Sequence, residues 1–294
     1  MSAAILPIER RSARSLVADY LILSKARIVM MVLITTAAGY WLGGGQFDPI
    51  VFAHLMIGTA LVAGGTNALN QVWERDLDAR MARTRRRPLP SGSLSARHAL
   101  IFSIAISVIG IGWLALAVNL LASFLSFATL ASYLFVYTPL KTRTTHCTVI
   151  GAAPGAVPPM IGYAAATGVV DATSWALFAF LFAWQLPHFL ALSWMYRDDY
   201  ARGGFRMLSV GDETGARVAR HAYGWSLVLL ATSAVPFVLG AAGILYAAAA
   251  IAAGGALLWT AHRFATTLAM KNARALFHGS NLYLVVVMLA MVVG

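Results

Sequence analysis

The sequence predicts an all-α protein that crosses a membrane with nine transmembrane helices arranged around a central cavity. Composition is the first observation behind this prediction. The 294 residues are 60% hydrophobic and only 11% charged, with a mean hydropathy of +0.73. Soluble domains are about 45–50% apolar and about 25% charged, so this composition excludes soluble, disordered and collagen-like chains. The other two observations are the length of the apolar runs and the placement of the charges between them.

Nine apolar runs are long enough to be membrane-spanning helices, which need roughly 18 or more residues. The apolar character is continuous within each run, whereas the strands of a transmembrane barrel alternate between apolar and polar side chains. We therefore predict helices within a single membrane-embedded domain that covers residues 1–294. The predicted spans are 28–45, 49–73, 98–117, 119–138, 147–166, 174–196, 221–240, 243–262 and 276–294.

All 22 lysine and arginine residues fall on one side of these predicted spans. They lie in the N-terminal segment and after the second, fourth, sixth and eighth spans, and the connections between those positions contain none. The positive-inside rule then places the N-terminus in the cytoplasm and the C-terminus outside. Because topology explains the cations, they do not indicate nucleic-acid binding. The loops at about 74–97 and 197–220 become cytoplasmic candidates for an active site.

Three polar residues follow helical spacing at the cytoplasmic end of the second span. Asn70, Glu74 and Asp78 are separated by four residues each, so they lie along one face if the helix continues to Asp78. Oxygen ligands of this kind suit Mg²⁺, which is usually bound by one or two carboxylates together with substrate phosphate. The arginines that follow can bind the remaining phosphate oxygens. Solvated charges at a helix end are the alternative interpretation.

A second acidic cluster follows the sixth span, on the same predicted side of the membrane. Asp198 and Asp199 are adjacent, so on a helix they point in different directions, and we expect only one of them to face the site. Taken alone, the cluster is typical of an interfacial helix cap.

These segments resemble the UbiA superfamily of intramembrane prenyltransferases, and within it the haem O synthase branch. Asn70, Glu74 and Asp78 match the first superfamily motif, with Glu in its middle position. Further blocks are similar to the haem branch over 137–143, 149–163 and 184–200. The residues that match the extension of the first motif are Met81, Arg83, Thr84, Arg87, Pro88, Leu89 and Gly92.

The resemblance implies transfer of the farnesyl group of farnesyl diphosphate to the vinyl group of haem b, with addition of water, to give haem O and diphosphate. It implies Mg²⁺ as the cofactor, with both substrates meeting at the cytoplasmic face of a bacterial inner membrane. A haem A synthase that uses the product is a possible partner. The implied catalytic and metal-binding residues are Asn70, Glu74, Asp78 and Asp199. The implied diphosphate-binding residues are Arg83, Arg87, Lys141, Arg143 and Arg197. The implied haem or substrate pocket contains His188, Trp73, Tyr137 and Trp194.

Two alternatives stay open. A related prenyltransferase could act on an aromatic acid or a chlorophyllide. The quinone-type members carry a second Asp-x-x-x-Asp motif, and here Arg202 and Gly203 stand four residues after the two aspartates, which disfavours the aromatic acid. A transporter is the other alternative, because glycines and prolines in the fifth span could mark a broken helix around a midplane site.

Overall fold

The computed structural model describes residues 13–45 and 47–293, and every regular element within these ranges is helical. The all-α expectation is therefore confirmed. The helices are α1 (Ala13–Leu23), α2 (Ala26–Leu42), α3 (Pro49–Asp78), α4 (Ala96–Ala117), α5 (Leu120–Ala131), a π-helical turn (Ser132–Tyr137), α6 (Thr138–Leu140), α7 (Cys147–Ala156), α8 (Pro158–Thr167), α9 (Ala172–Met195), α10 (Arg197–Arg202), α11 (Ala216–Val238), α12 (Ile244–Thr267) and α13 (Met270–Val293).

Eight helical stretches within the described residues are long and apolar enough to cross a membrane, and a bent pair makes a ninth span if it is counted as one. That pair is 16–23 with α2, and its two parts meet at an angle of 52°. The sequence-predicted span 28–45 therefore missed a break and the helix before it. The predicted fourth and fifth spans are also composite, because α5 continues through the π-helical turn into α6, and α7 is followed directly by α8.

The orientation of this bundle in the membrane stays a prediction. Two of the cations that predict this orientation, Arg10 and Arg11, lie outside the described residues.

Side-chain caps fix three of the long helices at the end predicted to face outside. Asp48 accepts hydrogen bonds from the first turn of α3, and Asn119 does the same for α5. Asp171 and Ser174 form a capping box at the start of α9. Such caps satisfy backbone N–H groups that have no partner inside the helix. The three helices therefore begin at the same end of the bundle, and all three run toward its opposite end.

The middle of the bundle is formed by α7–α8 and α9. Their most apolar windows are 61% and 67% buried, whereas the other single spans are 28–39% buried. The largest core cluster packs α9 against α11, α12 and α13. Polar side chains on the inward faces of α3 and α9 therefore project into the protein interior rather than into lipid.

Candidate active site

The predicted row of polar residues exists, because α3 continues for 30 residues to Asp78. Asn70, Glu74 and Asp78 are 1%, 5% and 1% exposed, whereas Trp73 and Asp76 on the other faces are exposed. Two carboxylates at the C-terminal end of a helix meet the negative end of its dipole. Burial adds a desolvation cost, so this arrangement requires cationic partners.

Each of the three residues has one cationic partner. Lys25 Nζ lies 3.1 Å from Asn70 Oδ1. Lys141 Nζ lies 2.7 Å from Glu74 Oε1, and Arg87 Nη1 lies 2.7 Å from Asp78 Oδ2. The three cations come from three separate segments of the chain. We refer to these six residues as the polar ladder.

Lys25 is the ladder residue that the sequence analysis missed. It stands at the break between α1 and α2 with a left-handed backbone, φ 51° and ψ 56°. Gln71, which follows Asn70 on α3, donates hydrogen bonds to the carbonyl oxygens of Ile22 and Leu23 and so satisfies the end of α1. The break turns the Lys25 side chain toward α3. No local sequence signal predicts a left-handed lysine, since this conformation favours glycine and asparagine.

The π-helical turn and α6 position Lys141. Its ammonium lies 4.5 Å from the centre of the Tyr137 ring and 5.8 Å from that of Tyr133. Burial acts to lower the pKa of Lys141, but the neighbouring Glu74 carboxylate and the two tyrosines hold that pKa well above its ordinary value. The ammonium therefore stays charged over the physiological pH range.

Arg87 reaches the ladder because the chain folds back after α3. The Thr84 hydroxyl donates to the backbone oxygen of Asp78 over 2.8 Å, which holds the following turns against the helix end. Arg87 then pairs with the Asp78 side chain. The sequence predicts arginines near Asp78, and the turns determine that Arg87 is the one that pairs with the Asp78 carboxylate.

Asp199 and Asp198 point in different directions, as expected. Asp198 has 81% of its side chain exposed. Asp199 is buried and accepts hydrogen bonds from the backbone N–H groups of Ala82 and Arg83, and it also pairs with Arg202. Burial acts to raise the pKa of Asp199, but these donors lower it below its ordinary value. Asp199 ties α10 to the loop after α3, so its role as a metal ligand stays a prediction.

The other predicted phosphate-binding arginines lie outside the ladder. Arg83 stacks over the Tyr196 and Tyr200 rings, at 5.0 and 5.7 Å from their centres. Arg197 lies 4.1 Å from the centre of the Trp194 ring. Arg143 is exposed. The structure therefore separates these exposed or half-buried arginines from the three cations that contact the ladder oxygens.

The predicted pocket residues likewise include some that border the ladder and some that lie away from it. Tyr137 borders the ladder, whereas Trp73 is 54% exposed and packs against Phe135. Trp194 is buried beside Gly215, at which an added Cβ would lie 2.6 Å from the tryptophan ring.

His188 lies in the packed core between α9 and α13. Its ring stacks between Trp184 and Phe277, with centre distances of 5.1 and 4.6 Å. Its Nδ1 atom lies 2.9 Å from the Ser280 hydroxyl. These contacts fix the histidine within the bundle, and its contact with haem stays a prediction.

The ladder chemistry fits Mg²⁺. Glu74 and Asp78 each use one oxygen in an ion pair, and the second oxygen has no hydrogen-bond partner within the described residues. Together with the Asn70 amide they form an all-oxygen donor set, which is the type that Mg²⁺ prefers. No group of three His, Cys, Asp or Glu side chains in the described part of the chain could bind a metal by itself. A metal here would therefore need ligands from a substrate or from water.

Two cavities bear on the location of the site. A small one, of about 70 Å³, adjoins the ladder at Tyr137. A larger one, of about 420 Å³, opens among the ends of α2 and α13 and the connection between α11 and α12. No charged residue lines the larger cavity, so it has no ionic group to hold a diphosphate or a metal.

The chain is similar to known prenyltransferases along almost its whole length. The model of the UbiA prenyltransferase family matches residues 32–286. A protoheme IX farnesyltransferase from Solibacter usitatus is 45% identical over 276 residues, which cover 90% of this chain and 94% of that protein.

Solved structures show the same fold. A digeranylgeranylglyceryl phosphate synthase structure is superimposable with a TM-score of 0.76 at 16% identity, covering 95% of this chain and 98% of the other. A UbiA homologue from Archaeoglobus fulgidus bound to GPP and Mg²⁺ gives a TM-score of 0.62 at 14% identity, covering 93% and 99%. With a family match over most of its length and a close relative covered almost completely, this chain belongs to the UbiA prenyltransferase family.

Proposed function

We propose that this protein transfers the farnesyl group of farnesyl diphosphate to the vinyl group of haem b, with addition of water, and releases haem O and diphosphate. The polar ladder is the observation that carries the proposal, because it combines two buried carboxylates with three cations at the end of a membrane-spanning helix. The choice of haem b and farnesyl diphosphate is supported by relatives named protoheme IX farnesyltransferase.

Glu74 and Asp78 are the proposed Mg²⁺ ligands, with Asn70 as a third oxygen donor. The solved homologue with GPP and Mg²⁺ supports a metal-dependent reaction in this fold. When bound, Mg²⁺ would neutralise negative charge on the diphosphate as it leaves. Asp199 remains a fourth proposed ligand.

The three ladder cations are the proposed diphosphate-binding groups. In the structure Arg87 and Lys141 neutralise the two carboxylates of α3, and Lys25 donates a hydrogen bond to the neutral Asn70 amide. When those carboxylates bind the metal, the same cations can donate to phosphate oxygens, whose negative charge replaces that of the carboxylates as their partner. Preorganised donors of this kind stabilise the charge that develops on a leaving group. Arg83, Arg143 and Arg197 are proposed to attract the anionic substrates from the surface.

The apolar bundle explains why such a reaction belongs in a membrane. The farnesyl tail favours an apolar environment, and its diphosphate favours the cationic end of the bundle. An allylic cation also needs protection from water until the new C–C bond has formed. We propose that the ladder faces the cytoplasm of a bacterial inner membrane, where both substrates are available.

The reaction can be tested directly. Purified protein in detergent with haem b, farnesyl diphosphate and Mg²⁺ is expected to give haem O, detected by mass. The Asp78→Asn variant should lower the rate about 10²–10³-fold, as is usual when a group that stabilises leaving-group charge is removed. Asp76→Asn is the matched control, because Asp76 lies half a turn away with 81% of its side chain exposed.

The outcomes separate the alternatives. Folded wild-type protein that forms no haem product but releases diphosphate with another acceptor would still be a prenyltransferase. In that case haem b would be excluded as its acceptor. If Asp78→Asn and Asp76→Asn have equal effects, the ladder is not the active site. Transport of a substrate without any diphosphate release would favour the transporter.

A further inference from the structure

The small cavity beside the ladder is rich in hydroxyl groups. It lies among the π-helical turn, α7, α9 and the segment after α10, and its volume is about 70 Å³. Its lining includes the side chains of Tyr137, Thr148, Ser193 and Tyr200. Four of the seven lining residues therefore carry a hydroxyl group.

These hydroxyls have hydrogen-bonding capacity that the protein does not use. Ser193 Oγ donates to the Leu190 carbonyl over 2.9 Å, which leaves its lone pairs free to accept. The neighbours of Thr148 Oγ1 are two weakly hydrogen-bonding sulfur groups, Met207 Sδ at 3.9 Å and the Cys147 thiol. The Tyr137 hydroxyl makes no hydrogen bond within the described residues. A small polar molecule in the cavity could therefore both donate and accept.

The volume of the cavity identifies the kind of occupant. Pockets for drug-sized ligands span about 300–1,000 Å³, so neither a farnesyl chain nor a macrocycle fits in this space. A water molecule needs only about 10–15 Å³ of such volume and two to four polar partners. Both requirements are met here, and water is the occupant that the lining favours.

The Tyr137 ring borders both this cavity and the ladder. The Lys141 ammonium lies 4.5 Å from the centre of the ring, and the same ring lines the cavity. Gly151 on α7 makes room for it, because an added Cβ at that position would lie 2.3 Å from the ring. A water molecule in this cavity would therefore lie next to the ladder but behind an aromatic side chain.

We propose that this cavity holds the water molecule that becomes the hydroxyl group of the product. The proposal rests on the proposed function, because haem farnesylation consumes one water. The allylic C–O bond breaks, and the vinyl π electrons form the new C–C bond. The positive charge then lies on the carbon attached to the macrocycle, and the oxygen of the water bonds to that carbon. The proton that the water loses goes to the released diphosphate.

The product distribution tests this role. Without a positioned water, the cation loses a proton from the neighbouring CH₂ group and gives an alkene that is lighter than haem O by one water. The double variant Ser193→Ala with Thr148→Val is expected to raise the alkene-to-haem O ratio about fivefold or more, consistent with the loss of hydrogen bonds to the water. Mass analysis of both products measures the ratio independently of the total rate.

Two further variants distinguish water positioning from packing. Ser226→Ala removes a buried hydroxyl that, like Ser193, donates to its own helix, and it should leave the ratio unchanged. Ser193→Thr keeps the hydroxyl and should retain the wild-type ratio. The proposal is overturned if the double variant keeps the wild-type ratio, or if Ser193→Thr and Ser226→Ala shift the ratio as much as the double variant does. Failure of wild-type protein to form haem O would instead reject the proposed function.

Discussion

Burial distinguishes the ion pairs of the polar ladder from the pairs at the surface of this protein. The side chains of Glu74 and Lys141 are only 6% and 9% exposed, whereas those of Arg75 and Asp76 are 49% and 81% exposed. An exposed pair contributes little to stability, because water and salt screen it. In a buried pair each charge depends on its partner, since an isolated buried charge carries the full cost of desolvation. The ladder therefore couples the stability of the protein to the residues that are proposed to bind substrate.

Breaking one buried pair tests that coupling. Lys141→Met should lower the free energy of unfolding by about 3–5 kcal/mol, because it leaves Glu74 buried without a partner. The double variant Glu74→Gln with Lys141→Met should recover most of the loss, since no uncompensated charge remains. Both variants should be inactive in haem O formation, because both lack the Lys141 ammonium. Thermal unfolding in detergent and the haem O assay measure the two effects.

The exposed pair of Arg197 and Asp198 provides the control. Removing both of these charges should change the free energy of unfolding by less than about 1 kcal/mol. A Lys141→Met variant as stable as the wild type would show that Glu74 is solvated or protonated in the folded protein. The coupling between stability and the site would then be absent.

At this scale, helical spacing was enough to predict the row on α3 and the burial of one of two adjacent aspartates. The cations were harder to predict. Lys25 stands 45 positions before Asn70 in the sequence, and its side chain reaches the ladder only through a rare backbone conformation. Several arginines follow α3, and the turns that select Arg87 depend on tertiary contacts such as Asp199 with the Ala82 backbone.

The position of α2 depends on close backbone contact with α8. An added Cβ at Gly162 would lie 1.9 Å from the Thr36 carbonyl oxygen, and one at Gly39 would lie 2.0 Å from that of Pro159. Small residues at such crossings allow membrane helices to approach closely. Because Lys25 directly precedes α2, this contact also sets the position of one ladder cation.

Gly162→Ala tests the role of this helix contact. We expect a loss of about 1–3 kcal/mol in the free energy of unfolding, which is the usual cost of overpacking. The KM for farnesyl diphosphate should rise more than that for haem b, because Lys25 moves with α2. Gly112→Ala is the matched control, since an added Cβ there meets no atom within 4 Å. Equal stability of the two variants would contradict the close contact.

Apolar runs predicted where the spans lie but not how they are interrupted. The break between α1 and α2 and the π-helical turn fall within segments whose composition is compatible with continuous helix. The break between α1 and α2 is stabilised by a side chain from another helix, since Gln71 of α3 donates to the end of α1. Periodicity within one segment carries no information about such partners.

The distribution of charge over the whole molecule predicts a single orientation in the membrane. Cations alternate strictly from one connection to the next, and the ladder lies at the cationic end of α3. The carboxylates and the cations proposed to bind substrate are therefore expected on the side where farnesyl diphosphate is available. The orientation decides whether the proposed chemistry can take place.

Single engineered cysteines can measure this orientation. The one native cysteine, Cys147, is fully buried, so it should not react with an impermeant maleimide. In intact bacterial cells the reagent should label Val169→Cys, which lies in a cation-free connection, and should not label Ser91→Cys in the loop after α3. Both positions are exposed. Labelling of Ser91→Cys alone would reverse the topology and place the ladder outside.

The π-helical turn has a consequence for how this site could have arisen. A π turn contains one residue more than an α-helical turn, so it is equivalent to a single-residue insertion in a helix. Each residue added to an α-helix rotates all that follows by about 100°, and only the 3 residues of α6 separate the turn from Lys141. The gain or loss of one codon in this segment would therefore be enough to bring the ammonium to Glu74 or to turn it away. A regular ancestral helix would then have acquired the ion pair between Lys141 and Glu74 by insertion alone, without any substitution in the ladder itself.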